Sequence, residues 1–243
     1  MFREKSMKRE IFRTVVLPII ALAMMLSAAR PVHAQEVKTA YPTMAPLDQY
    51  LMSKYAEIAM ARSAGPDSVS HDAEIMVLGK HGYETAVKGS NGFVCLVERG
   101  WTAGIESPDF WNPKLRGPLC VNAAAARTYL PLTFKKTELA LAGQSRTQLY
   151  ESLKAAFDKK ELPALEPGAM SYMLSKDGAL GDGNGHWRPH LMFFVPQTDA
   201  KLWGANLAAS PIYAVELPED RLTIFLVPVA KWSDGTEEPT DHH

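Results

Sequence analysis

Apolar positions recur along this chain in two periods, and the switches between them mark its elements. Leu47, Leu51, Tyr55 and Ile58 fall at helical spacing, and Gly65-Pro66 stops the segment, which predicts an amphipathic helix over Leu47–Ser63. Glu74–Leu78, Tyr83–Lys88 and Phe93–Glu98 are short strand-like runs. The connections Gly79-Lys80-His81-Gly82 and Gly89-Ser90-Asn91-Gly92 between them predict a β-meander. Trp101–Pro118 holds Pro108, Pro113 and the aromatic pair Phe110-Trp111, and reads as a long ordered loop. Consecutive alanines place a helix over Cys120–Tyr129, ended by Pro131. Ser145-Arg146-Thr147-Gln148 is a capping box. It opens a helix with a buried stripe of Leu149, Leu153, Ala156 and Phe157 that stops before Pro163. Strand patterns return at Ala169–Leu174, His190–Val195, Ile212–Leu217 and Leu222–Val227, the last two joined by the turn Pro218-Glu219-Asp220-Arg221. Without a repeat or a low-complexity linker, these runs predict a single α+β domain over residues 47–232. Its sheet is expected to be mixed or mainly antiparallel, with about six to seven strands covered by helices.

The ends read differently. Arg3, Lys5, Lys8, Arg9 and Arg13 precede an apolar run from Val15 to Ala29, and Val32-His33-Ala34 follows. A basic start, a short apolar stretch and small residues at the cut make residues 1–34 a secretory signal peptide. Pro18 interrupts the run, which is too short to span a bilayer comfortably; a retained anchor is the competing reading. Residues 35–46 are polar and read as a flexible mature N-terminus, and residues 233–243 as a flexible tail. A periplasmic or secreted location follows, with no stable membrane span after cleavage.

Removing the leader leaves 209 residues with 20 Lys and Arg against 25 Asp and Glu. That acidic balance gives no electrostatic footprint for nucleic acid or anionic lipid. Cys95 and Cys120 are the two cysteines, an even count that suggests one disulfide in an oxidising compartment. Two buried free thiols, or one reactive thiol, are the alternatives.

Candidate chemistry concentrates in Lys176–Phe194. Four glycines alternate with Asp177, Asp182 and Asn184, then His186, Trp187, Arg188 and His190 enter an apolar strand. Glycines permit close backbone approach to a ligand. His186, Arg188 and His190 alternate, so an extended segment puts all three on one face, a basic patch suited to a small anionic ligand or an envelope component. Arg188 would donate to the anion, Trp187 would offer a stacking surface, and Asp182 would complete the ligand-binding set. Simple packing of the loop competes with this. A shared metal is disfavoured, because His186 and His190 on one strand stand roughly 13 Å apart. The Asp182-Gly183-Asn184-Gly185 stretch fails as a calcium loop, since Leu180 and Leu191 fall where ligand oxygens are needed. No Walker, dinucleotide or Gly-x-Ser-x-Gly pattern occurs, so neither metal nor cofactor is expected. Phe110-Trp111 with Asn112 and Arg116 could stack on a sugar or peptide, or lie buried under its loop.

Three segments, His81–Gly89, Phe110–Lys114 and Gly185–Phe193, resemble a group of exported bacterial proteins with no assigned function. The resemblance implies an exported bacterial protein and no activity. Cys120 ahead of an alanine-rich helix, with His186 or His190 downstream, is similar in order to the NlpC/P60-type cell-wall peptidases. The chain departs from them in reading Leu119-Cys120-Val121 where that family has Asp-Cys-Ser, and in placing a three-stranded meander ahead of the cysteine. Two functions follow: a periplasmic binding or envelope-interaction module, or a cell-envelope hydrolase using a His base with Cys120 or a metal-bound water. Cleavage after Ala34 is expected, and the intact mass of exported protein checks it. A mass that retains Met1–Ala34 would show an uncleaved N-terminus.

Overall fold

Gly79 and Gly82 face each other across the two-residue turn Lys80-His81, and this turn folds β1 (Glu74–Gly79) onto β2 (Gly82–Val87) as an antiparallel hairpin. The computed structural model describes residues 41–179 and 187–239, and its remaining strands are β3 (Val94–Glu98), β4 (Gly117–Val121), β5 (Met170–Met173), β6 (His190–Pro196), β7 (Tyr213–Leu217) and β8 (Leu222–Pro228). The helices are α1 (Lys54–Arg62), α2 (Asp67–Ser70), α3 (Ala123–Thr128), α4 (Leu130–Leu141) and α5 (Arg146–Asp158). One eight-stranded sheet runs in the order β2-β1-β3-β4-β5-β6-β8-β7. The α+β class holds, with eight strands where six to seven were expected.

The expected meander does not form. β3 pairs with β1 in parallel, on the side away from β2, which makes the sheet mixed. Gly89-Ser90-Asn91-Gly92 passes the start of β1 instead of turning back beside β2. A Cβ on Gly89 would stand 2.1 Å from the Glu74 backbone N, so only glycine allows this passage. Burial explains the order. β2 exposes Glu84 and Thr85 and suits an edge, whereas β3 buries four of its five residues and needs neighbours on both sides.

The additional strand is β4. All five of its residues are buried between β3 and β5, where the sequence suggested the end of a loop and the start of a helix. Asn122 ends the strand and caps α3, its Oδ1 accepting from the Ala125 N–H at 3.0 Å. Pro131 does not end a helix. It occupies the first turn of α4, where a missing N–H costs nothing. The expected Leu47–Ser63 helix is also shorter. Leu47–Gln49 is a 3-10 turn, and Ser53 caps α1. α1 buries Glu57 and Ala61, and Tyr55, placed on the expected apolar stripe, is 86% exposed. The capping box at Ser145 and Gln148 forms as anticipated, and α5 buries Leu149, Leu153 and Ala156.

The two faces of the sheet are packed unequally. On one, α3, α4 and α5 enclose the main core, which includes Leu96, Leu119, Met173 and Phe194. Trp101, Phe110 and Trp111 lie buried in that core, so the aromatic pair is packing and not a stacking surface. On the other, Ala61 and Ala64 sit against Ile75, Val97 and the disulfide. Residues near both ends of the described chain make hydrogen bonds to the domain. Tyr41 O accepts from Arg146, and Ala45 N–H donates to the Tyr50 hydroxyl. Near the other end, Lys231 bridges Glu237, and Ser233 N–H donates to Leu174 O.

A buried charge crosses the layers. The Arg99 guanidinium donates to Glu57 Oε1 at 2.9 Å, to Tyr50 O at 2.8 Å and to Val97 O, while Leu78 N–H donates to the same Glu57 oxygen at 3.0 Å. At the far edge of the sheet, the Asn206 side chain accepts from Ala214 N–H and donates to Ala214 O, both at 2.9 Å. Among the described residues, no helix is long and apolar enough to cross a membrane.

Cys95 and Cys120 form a disulfide between directly paired positions of β3 and β4. Both are fully buried under α1. The bridge closes a loop with a sequence separation of 25, worth about 3 kcal/mol in chain entropy. Replacing both cysteines by alanine is expected to lower the unfolding free energy by about that amount in urea titrations. An unchanged stability would show that sheet pairing alone holds the two strands.

Candidate functional site

Asp182 and His186 lie outside the described residues. The structure brings Trp187 and His190 together, with ring centroids 6.3 Å apart and planes at 82°. Trp187 is half-buried against Gly178 and Gly117, where a Cβ on Gly178 would meet the indole at 3.1 Å, and its Nε1 is buried without a partner among the described residues. His190 opens β6 and shares its inward side with Met192 and Phe194. It is 7% exposed, its Nδ1 pairs with Arg188 O at 2.7 Å, and burial lowers its pKa, which favours the neutral ring. Arg188 precedes the strand and is exposed. The alternation that placed Arg188 and His190 on one face applies only within a strand, so the two do not share an accessible basic face.

Cys120 is not a nucleophile. It sits within β4, ahead of the helix cap, and its sulfur is bonded to Cys95. Among the described residues, no three His, Cys, Asp or Glu side chains gather where they could hold a metal ion.

The geometry that does gather chemistry lies elsewhere. A cleft of about 490 Å³ opens between the α3–α4 junction, the end of α5, the strap 162–165 and the turn before β8. Leu132, Phe157, Leu162 and Leu222 give it apolar walls, and Asp220, Lys160 and Arg221 also line it. Pro218 starts the 3-10 turn that carries Asp220, and Glu219 anchors that turn by accepting from Ile105 N–H at 3.1 Å.

Asp220 is only 3% exposed. Its Oδ2 accepts from Lys136 Nζ at 2.5 Å, and the same ammonium donates to Thr102 O and Ala103 O at 3.2 Å. The three hydrogens of Lys136 are thereby used, and Asp220 Oδ1 is buried with no partner among the described residues. Burial raises the Asp220 pKa, opposed by Lys136. A second carboxyl lies behind the cleft. Glu98 Oε1 accepts from Tyr129 Oη at 3.1 Å and Thr133 Oγ1 at 3.0 Å, and the Tyr129 ring stacks on Phe194. Burial also raises Glu98, more than its hydroxyl partners and Lys136 lower it. Apolar walls with two cations beside them suit the capture of a small, mostly apolar molecule.

Sequence reasoning missed this site. Asp220 stands in a turn by composition, and Lys136 belongs to α4, a stretch where the sequence pattern predicted no element. The available signal was Thr133, Lys136 and Thr137 recurring with Leu132, Leu139 and Ala140 on one helical face: a polar stripe among apolar residues. Searches of protein-family models, curated proteins and solved structures found no match.

The folded chain protonates Glu98 more readily than the unfolded chain does. Its charge therefore costs stability at neutral pH, and that cost is relieved as the pH falls through the raised folded value toward the ordinary carboxylate range. The wild type is expected to gain stability relative to Glu98→Gln over that interval, measured by urea unfolding at each pH. A constant difference would mean that Glu98 ionises as it does in water.

Proposed function

We propose that the protein is an exported binding module, acting in the periplasm or outside the cell, that takes a small, largely apolar molecule into the Asp220 cleft. The observation that carries this reading is the apolar cleft itself, walled by Leu132, Phe157, Leu162 and Leu222, with Lys160 and Arg221 beside them. Burying a ligand's apolar surface against these side chains supplies the driving force for binding. Export is supported by the basic and apolar leader and by a buried disulfide, which persists in oxidising compartments. The hydrolase reading loses its cysteine to that same disulfide. The glycine-rich loop with Arg188 stays as the competing location for a ligand.

The neutral fluorophore N-phenyl-1-naphthylamine tests the site. Saturable binding is expected, weakened about tenfold or more (~1.4 kcal/mol) by Ala164→Trp, which fills the exposed strap at the cleft mouth. Arg188→Ala should leave it unchanged. Weakening by Arg188→Ala alone would move the site to the glycine-rich loop, and no binding to the wild type would refute the cleft.

A further inference from the structure

Four described residues other than glycine adopt positive φ: Lys160, Asn206, Ala209 and Arg221. Asparagine tolerates this region, and Asn206 and Ala209 share one surface turn. The other two are both basic and both line the Asp220 cleft, with φ of 58° and 54°. Each stands just past a helical segment. Lys160 N–H donates to Phe157 O and Glu161 N–H to Ala156 O, the Schellman arrangement in which glycine normally occupies the position of Lys160. Arg221 caps the Pro218–Asp220 turn in the same conformation. Long side chains at two positions where glycine fits without steric cost suggest that the side chains are used.

The charges at the cleft do not cancel. Asp220 is neutralised by Lys136. Arg221 pairs with Asp158, which Lys154 also holds at 2.8 Å, and the Arg221 guanidinium lies 5.0 Å over the Phe157 ring. Lys160 has no acidic partner among the described residues, and Glu161 beside it lines a different groove with Pro131 and Phe134. The mouth therefore carries surplus positive charge above an apolar interior.

Resting on the cleft reading above, we infer that the ligand is a single-chain amphiphile with a carboxylate head, held by Lys160 and Arg221 at the mouth. Its hydrocarbon lies along Leu132, Phe157, Leu162 and Leu222. Guanidinium and ammonium groups meet a carboxylate through charge-assisted hydrogen bonds, and the apolar lining accepts the chain.

Displacement of N-phenyl-1-naphthylamine by decanoate, decanol and decyltrimethylammonium separates head group from tail. Decanoate should displace the probe at about tenfold lower concentration than decanol in low salt (~1.4 kcal/mol), with the advantage shrinking in high salt. Lys160→Gly should abolish most of that advantage, leave decanol unchanged, and unfold at the same or a higher urea concentration, since glycine suits the backbone there. Equal displacement by decanoate and decanol, preference for the ammonium, or a Lys160→Gly effect on stability alone would overturn the head-group assignment while the cleft still bound the probe. Failure of the probe itself to bind would remove the cleft reading, and this one with it.

Discussion

Arg99 is fully buried, and Glu57 is the carboxylate that meets it there. An uncompensated charge at such depth would cost several kcal/mol, so the pair constrains whatever holds either member. Glu57 belongs to α1 and also receives Leu78 N–H from β1; Arg99 follows β3 and also binds Tyr50 O. Helix, first strand, third strand and the segment before the helix thus converge on one guanidinium. The effect reaches Arg116, whose pKa is lowered to about 10 chiefly by burial and then by the neighbouring Arg99. From Arg99 the chain turns through Gly100–Thr102, and the carbonyls of Thr102 and Ala103 hold Lys136. Lys136 in turn fixes Asp220 beside the cleft. A core charge pair and the candidate binding site are therefore joined by a short succession of polar contacts.

That succession also accounts for a helix with an unusual buried face. Thr133, Lys136 and Thr137 of α4 all point inward, and each has a partner: Glu98, Asp220 with two carbonyls, and Trp101 Nε1. Buried polar groups are tolerated where they are satisfied, and α4 satisfies them by facing the 101–103 turn and not only the apolar sheet. Among the described residues, two oxygens of the succession are left without a partner, Glu57 Oε2 at one end and Asp220 Oδ1 at the other, and Asp220 lines the cleft.

Local chemistry was legible wherever one signal acted alone. The Ser145–Gln148 capping box, the Lys80-His81 hairpin and the pairing of two cysteines all depend on neighbouring residues or on a count of two. Seven of the strands announced themselves by composition. β4 did not, because Gly117 and Pro118 look like loop residues and the alanines that follow Asn122 pulled Cys120 into a helix. Its strand character comes from burial between two neighbours, which periodicity does not report. Pro131 misled in the same way, since proline breaks a helix from inside but opens one at its first turn. The order of the sheet and the pairing of Lys136 with Asp220 are long-range facts. They depend on which segments need two neighbours and which buried charge finds a counterion, and no local pattern encodes either.

The Asn206 amide bracketing Ala214 has a consequence beyond its two hydrogen bonds. β7 ends the sheet, and its Tyr213 and Val215 are exposed, a combination that invites an extended segment from another molecule to add itself as a ninth strand. The outward N–H and C=O of Ala214 are already occupied by a side chain that imitates a neighbouring strand for one residue. A recruit pairing at Ala214 would have to displace both bonds of the asparagine before gaining any of its own.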